Sequence, residues 1–393
     1  MTLKRIRAYA SLIAVTMWAV WLIDFSNAGV IDRLGKIKGT DFIQFYVSGS
    51  FVREGRADLL YDVPAQLARL RSVAPGSPDT VYLPVQSPQT AMAIAPLTAC
   101  SYPVAVIIWS ALITVLYGAA CWLTWRHCPA LQRYRTETVA CCAAFPGLFS
   151  TVTHGQISGV ALLAVAAALL ALRRQRMFTA GLALGCLVFK PHWAAVAVTI
   201  FTFAREWRVV SGAVLAAAGQ VTLVGAALGS GILEAYGRTL QSLSRLSEFV
   251  EPRPGNTLQG LVSALVPWNT AALALYAVAA FLTLLVVARL WRGSEPFEIR
   301  ATAIVLAMVL VSPHAFEYDL ILLTPAFFFL ANWIADRPET RANTVVPLAL
   351  YGLFVAPLML GLPALIRLQF SVTAMCVILF ALARRSEPIQ LPV

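Results

Sequence analysis

Long apolar runs recur along the whole chain, and they limit its possible folds more than any other feature. Several reach about 18 residues, the length at which a helix crosses the hydrocarbon core of a bilayer. Only 12% of the residues are charged and 59% are hydrophobic, whereas soluble domains carry about 25% charged residues. The runs are continuous and lack the alternating pattern of a membrane β-barrel. Because backbone groups in lipid must be paired within the segment, the sequence predicts an all-α, polytopic membrane helical bundle.

About twelve transmembrane helices are predicted, each close to bilayer length or a little short. Their approximate ranges are 8–25, 104–125, 137–153, 157–172, 177–190, 192–204, 209–230, 270–289, 300–312, 319–334, 343–360 and 368–383. The two short ranges on either side of Lys190-Pro191 are expected either to tilt or to meet at a break there. The basic N-terminus precedes a long run without a clear cleavage site, which favours an uncleaved first helix over a signal peptide. We expect one integral membrane domain over 1–393.

The distribution of Lys and Arg predicts the orientation, because cytoplasmic loops are enriched in both. With the N-terminus in the cytoplasm, the whole formal net charge of +11 falls on the cytoplasmic side, and an even helix number returns the C-terminus there. Two long loops, 26–103 and 231–269, then lie on the extracytoplasmic face together with most of the unusual polar groups. We expect a bacterial inner (plasma) membrane location. A basic charge of this origin reflects topology and does not indicate a nucleic-acid partner.

The segment 39–62 of the first outer loop is unusually polar for so apolar a chain. Ionisable groups near lipid are costly and usually mark function, and Asp41 opens this segment, followed by Gln44 and Tyr46. Apolar residues at helical spacing over 40–72 predict amphipathic helices lying in the membrane interface. Two alternatives remain open: the segment forms a structural cap over the bundle, or Asp41 serves as a helix N-cap.

Three further outer turns carry polar side chains, and each has a structural alternative. His154 and Gln156 flank Gly155 at a helix end, where capping or packing is equally expected. In the sequence FKPHW, Lys190 can bind a phosphate as a point charge or extend to the interface, and His192 follows the proline. The third turn, SPHAFEYD, holds four polar or ionisable groups, namely His314, Glu317, Tyr318 and Asp319.

The second outer loop and the cysteines carry weaker signals. Arg238 and Arg245 are candidates for phosphate binding, although a solvated loop face explains them equally well. The seven cysteines include no C-x-x-C pair and mostly lie in apolar runs, where cysteine behaves as a small hydrophobic residue. Neither a metal site nor a cofactor is expected.

Taken in order, these motifs resemble glycosyltransferase family 87, a group of polyprenyl-phosphate-mannose-dependent, mannosyltransferase-like GT-C membrane enzymes. The resemblance covers roughly 39–330. One departure is that Tyr318-Asp319 stands where family members tend to carry a His pair, and His314 lies close by. The motifs that carry the family resemblance are Asp41-Phe42, the run through Tyr46 and Gly49, Leu60 to Asp62, Tyr82 to Pro84, Ala95 to Leu97, Gly155-Gln156, Lys190-Pro191 and Ser312-Pro313.

The resemblance implies a GT-C-like bundle that transfers a sugar, such as the hexose mannose, from a polyprenyl-phosphate-linked donor to a lipid or glycan acceptor with inversion. It makes Asp41 the expected catalytic base. Lys190, His192, Arg238 and Arg245 are then expected at the donor phosphate. The side chains expected to orient sugar or acceptor are Gln44, Tyr46, His154, Gln156, His314, Glu317, Tyr318 and Asp319.

Two other functions remain open on the sequence. A transporter or flippase of a lipid or small solute would fit the helix number, but such proteins often show repeated halves and ionisable groups at mid-membrane. Here no repeat is visible, and the ionisable groups cluster at the outer turns. A non-catalytic assembly partner of another envelope enzyme is the third alternative.

Overall fold

The described part of the computed structural model, residues 3–77, 82, 84–246, 255–267, 270–337, 345–358 and 369–384, is helical and contains no strand, apart from one isolated bridge between Ile31 and Ile37. Its α-helices are α1 Leu3–Phe25, α2 Phe42–Arg53, α3 Val63–Val73, α4 Pro88–Ile94, α5 Tyr102–Trp125, α6 Arg135–Ala143, α7 Pro146–His154, α8 Ser158–Arg173, α9 Met177–Gly185, α10 Pro191–Phe203, α11 Trp207–Leu228, α12 Gly231–Leu246, α13 Leu258–Leu265, α14 Thr270–Arg292, α15 Phe297–Leu310, α16 Thr324–Ala335, α17 Val345–Val355 and α18 Phe370–Ala383.

Five helical segments among the described residues are long and apolar enough to cross a membrane. Five shorter apolar helices of 10–17 residues accompany them, so the predicted number of about twelve spans is not confirmed. The five long segments are Leu3–Phe25, Tyr102–Trp125, Trp207–Leu228, Thr270–Arg292 and Glu317–Ala335.

One proline interrupts a predicted span, and another stands at the predicted break between two spans. The expected single helix over 137–153 is two helices, α6 and α7, and Pro146 is the first residue of the second. Proline lacks the N–H that a helix interior needs but is well suited to a helix start. In the same way, α9 continues as a short 3₁₀ helix to Phe189, and α10 begins at Pro191. This leaves Lys190 at a break between two apolar helices.

The bundle has a buried centre and an exposed, apolar periphery. Eleven of the 14 residues of α15 are buried, whereas α1 buries only Ala10. Helices α9 and α11 approach closely, because a Cβ on Gly181 would lie 2.0 Å from the Val209 carbonyl oxygen, and one on Gly185 would lie 2.3 Å from that of Ala213. Small residues one turn apart are a common means of bringing membrane helices together.

The segment 26–103, which the sequence predicts as the first outer loop, folds back onto the bundle in its described part. The sequence predicts that α2 lies amphipathically in the interface, yet nine of its 12 residues are buried. It packs against α4 and the 3₁₀ turn Ala95–Ala99, and a Cβ on Gly49 would stand 3.0 Å from the backbone nitrogen of Ala95. A helix that packs on several sides needs apolar residues around most of its circumference. The helical spacing of apolar residues over 40–72 does not by itself reveal this packing. The turn before α2, which carries Asp41, is therefore held by the core.

Candidate active site

Asp41 sits in a tight turn that is bonded to the end of α7. Gly39 has φ +59°, and its carbonyl oxygen accepts the Phe42 N–H at 2.7 Å. The backbone N–H of Asp41 donates to the carbonyl oxygen of His154 at 2.9 Å. Although Asp41 precedes α2, its carboxylate makes no capping hydrogen bond. The carboxylate is thus left for another partner, which disfavours the simple N-cap alternative.

Gly155 brings that partner to Asp41. It ends α7 with φ +66°, a left-handed conformation that favours glycine. A Cβ here would come within 2.5 Å of Phe42 Cβ, and the Gly155 carbonyl oxygen accepts the indole N–H of Trp109 at 2.9 Å. Only glycine therefore allows the two turns to pack this closely, which places Gln156 beside Asp41.

The Gln156 side chain donates from Nε2 to Asp41 Oδ2 at 2.7 Å, and Gln156 itself is buried. Burial raises the pKa of the Asp41 carboxyl above its usual value, while the Gln156 hydrogen bond and the charges of His154 and Lys190 oppose that rise. A carboxylate with a raised pKa is a better proton acceptor near neutral pH. Asp41 combines this property with a defined orientation.

A largely buried ion-pair cluster lies at the start of α10. Lys190 Nζ donates to Asp319 Oδ1 at 2.8 Å and to Ser158 Oγ at 3.1 Å, and Ser158 in turn donates to the same Asp319 oxygen at 2.6 Å. The ammonium group also lies over the ring of Trp193, 4.6 Å from its centroid. The break at Pro191 leaves Lys190 outside both helices, so its side chain can reach across to the Asp319 turn.

Two histidines stand next to this cluster. The rings of His192 and His314 lie 4.6 Å apart between centroids, and the Nε2 atom of His192 is buried without a hydrogen-bond partner in the described part of the chain. A buried nitrogen without a partner usually needs an explanation such as a ligand. The rings of His154 and Tyr318 pack with their centroids 5.6 Å apart, and His154 Nδ1 lies 2.8 Å from the Ser150 carbonyl oxygen.

The structure places two of the other predicted site residues, Tyr46 and Arg238, outside this cluster. The Tyr46 hydroxyl donates to the Cys100 carbonyl oxygen at 2.8 Å, and its ring is buried in the core. Arg238 lies on an exposed face of α12 and pairs with Glu234 one turn away. Arg245 belongs to the same helix, and its side chain lies outside the described residues. Glu317 is half-buried at the start of the 3₁₀ helix Glu317–Leu323.

A narrow cleft opens beside the Asp41 turn, and Gln44 belongs to its lining. It is narrow and partly open to solvent, with room between its walls for about one water molecule. The pKa of Tyr82 is raised to about 12, first by burial and then by the charge of Asp41, which places this tyrosine near the carboxylate. Among the described residues, the side chains that line the cleft are uncharged: Gln44, Val47, Ser48, Gln66, Leu67, Leu70, Tyr82, Pro84 and Gln86.

Sequence reasoning did not identify two residues of this region. Ser158 lies only two positions after Gln156, at the first turn of α8, but a serine there is ordinarily explained by helix initiation. Tyr82 belongs to a motif of the family resemblance, but that motif gives it no role in a site. Among the described residues, no three His, Cys, Asp or Glu side chains are grouped so that they could hold a metal ion.

Comparison with known proteins identifies the family. The model of glycosyltransferase family 87 matches residues 86–313, more than half of the chain. The chain belongs to glycosyltransferase family 87. It is therefore a membrane glycosyltransferase, an enzyme that transfers a sugar. No curated protein and no solved structure matches it. The match includes Gln156, Lys190 and His192, whereas Asp41 and Asp319 lie outside it.

Proposed function

We propose that this glycosyltransferase moves a sugar, such as the hexose mannose, from a polyprenyl-phosphate-linked donor to a lipid or glycan acceptor on the extracytoplasmic face of the bacterial inner membrane. One observation carries the proposal: an oriented carboxylate, Asp41, shares one cluster with a largely buried ammonium group, Lys190. A proton acceptor beside a phosphate-binding cation is what transfer from a glycosyl phosphate requires. The distribution of basic residues supports cytoplasmic termini and an outward site.

The reaction is a single displacement at the anomeric carbon. The acceptor hydroxyl gives its proton to the Asp41 carboxylate as its oxygen bonds to that carbon. The bond from the anomeric carbon to the phosphate oxygen breaks, and its electron pair leaves with the polyprenyl phosphate. The phosphate thereby gains one negative charge, which Lys190 stabilises where it develops. One displacement inverts the anomeric configuration.

The neighbouring imidazoles complete the donor side. The unpartnered Nε2 of His192 and the ring of His314 lie beside Lys190, where a phosphate oxygen can accept their N–H groups. His154, which lies near Asp41, packs against Tyr318, which lies near Lys190, and both are suited to contact the sugar. Because Arg238 is exposed and paired with Glu234, we assign it no part in holding the phosphate.

We propose that the acceptor hydroxyl approaches Asp41 from the side of this narrow cleft, whose described lining is uncharged. Amide, hydroxyl and phenol groups bind sugar hydroxyls, and an uncharged lining gives a phosphate no advantage. We assign the cleft to a hydroxyl-bearing acceptor and expect Gln44→Leu to raise the acceptor KM while leaving the donor KM unchanged. Gln132→Leu, on an exposed turn far along the chain, is the control. A donor KM that rises instead would contradict this assignment.

The proposed function is tested with purified protein in lipid nanodiscs and radiolabelled polyprenyl-phosphate sugars. Wild-type protein should transfer label to an envelope lipid or glycan fraction, and Asp41→Asn should abolish transfer while the protein remains folded. Asp58→Asn removes an exposed carboxylate from the same loop and should leave transfer intact. Undiminished turnover by Asp41→Asn would exclude Asp41 as the base.

A further inference from the structure

Asp319 faces the protein and not an open site. Its side chain is only 3% exposed. Oδ1 accepts hydrogen bonds from Lys190 and Ser158, and Oδ2 accepts the Phe316 backbone N–H at 3.1 Å. Three donors from the protein therefore surround a fully buried carboxylate. This arrangement leaves little capacity for a sugar hydroxyl, although the sequence predicts Asp319 as a sugar ligand.

The same contacts hold the Lys190 ammonium group in one orientation. Lysine carries its charge on a flexible four-carbon chain, but here two of the three N–H groups are directed at Asp319 and Ser158. The rings of Trp193 and Tyr318 lie 4.6 and 5.6 Å from Nζ. The third N–H is not used by the carboxylate or the hydroxyl, so it can point to a ligand.

Stability is a weak explanation for this buried ion pair. The cost of removing two charges from water often exceeds their attraction, and apolar replacements of buried pairs are frequently neutral or stabilising. Lys190 and Asp319 also come from segments 129 positions apart, which meet beside Asp41 and the two histidines. The location of the pair at the candidate active site favours a role in the reaction.

We propose that Asp319, together with Ser158, is a positioning residue that aims Lys190 at the leaving phosphate of the donor. This inference rests on the proposed function, in which Lys190 stabilises the charge that develops on that phosphate. Asp319 itself touches neither sugar nor phosphate. Its effect on transfer passes entirely through Lys190, and this makes it separable from a residue that binds the sugar.

A double-mutant cycle in nanodiscs tests the proposal, with transfer rate and thermal stability measured on each variant. Asp319→Asn should lower kcat about 100-fold, the scale of a catalytic group misplaced by an ångström. Lys190→Met should lower it at least as much and should also destabilise the protein, because Asp319 is left buried and unpaired. The double variant should regain stability yet transfer sugar no faster than Lys190→Met. Recovery of transfer together with stability would overturn the proposal.

Binding of polyprenyl phosphate without a sugar separates positioning from sugar recognition. The lipid phosphate should raise the melting temperature of wild-type protein, and both single variants should weaken this shift. An unchanged shift in Asp319→Asn would overturn the proposal, since a sugar ligand alone would behave that way. Glu298→Gln is the matched control. It breaks the ion pair between Glu298 and Arg173, whose charged atoms are 3.2 Å apart, and this pair lies away from the cluster.

The two proposals fail in different ways. If wild-type protein neither transfers sugar from any polyprenyl-phosphate donor nor gains stability from polyprenyl phosphate, the proposed donor is wrong, and the positioning role falls with it. If wild-type protein does both, and the double variant recovers transfer, only the positioning role is wrong.

Discussion

Replacement of Gln156 by leucine tests how the active-site carboxylate is tuned. Leucine keeps approximately the same volume but removes the amide that donates to Asp41 Oδ2 at 2.7 Å. This hydrogen bond favours the ionised carboxylate and opposes the rise in the Asp41 pKa that burial causes. Without it the pKa rises further, and a higher pH is needed to produce the base form.

The strength of the Gln156–Asp41 hydrogen bond sets the size of the expected change in kcat/KM. A hydrogen bond to a charged group contributes about 1.5–3 kcal/mol, and each 1.36 kcal/mol changes a rate tenfold. Gln156→Leu should therefore reduce kcat/KM about 10- to 150-fold at acidic pH, where the protonated carboxyl dominates. The loss should shrink as the pH rises, because the base form becomes populated in the variant as well.

The assay is the pH profile of kcat/KM for sugar transfer in nanodiscs. Wild-type activity should increase as the pH rises through an acidic limb, and Gln156→Leu should shift that limb to higher pH. Gln220→Leu is the matched control, because Gln220 donates to the Gly185 and Ala216 carbonyl oxygens within α11 and its neighbour α9. An unshifted limb in Gln156→Leu, or an equal shift in Gln220→Leu, would refute the reasoning.

Two further variants test the packing around the site, and a third tests whether Arg238 contributes to phosphate binding. Gly155→Ala forces alanine into a left-handed conformation and a 2.5 Å approach to Phe42; it should destabilise the protein by more than the ~1–2 kcal/mol of the conformation alone, measured as a lower melting temperature. Gly118→Ala, with no atom within 4 Å of the added Cβ, should not lower it. Trp109→Phe removes the N–H bond to the Gly155 carbonyl oxygen and should cost about 0.5–1.5 kcal/mol in denaturant titrations. Arg238→Gln should leave the donor KM unchanged, since this exposed pair contributes little; a clear rise would return Arg238 to the phosphate site.

Much of the fold could be predicted from local pattern. The helical class follows from apolar runs that must satisfy their own backbone groups in lipid, and α3 and the break at Lys190-Pro191 follow from local signals. The buried α2 was not predicted as a packed element, because its surroundings come from α4 and the turn after it. The division at Pro146 has a local cause, but a proline in an apolar run is also compatible with a kinked span.

The candidate site divides in the same way. The polar turns are visible in the sequence because ionisable residues are rare in an apolar chain. Their pairing is not visible, since Gln156 lies 115 positions from Asp41 and Ser158 lies 161 positions from Asp319. Sequence reasoning consequently assigned Tyr46 and Arg238 to the site, whereas the structure uses one in core packing and leaves the other on the surface.

By itself the sequence determined a helical membrane protein, the positions of its polar turns and a resemblance to its enzyme family. These properties depend on composition and on residues close together in the chain. The tertiary structure alone decided that Asp41 is bonded to Gln156, that Lys190 is held by Asp319 and Ser158, and that both groups share one cluster. The physical reason is that such contacts depend on how distant helices pack, and close packing at Gly155 and Gly39 brings these turns together.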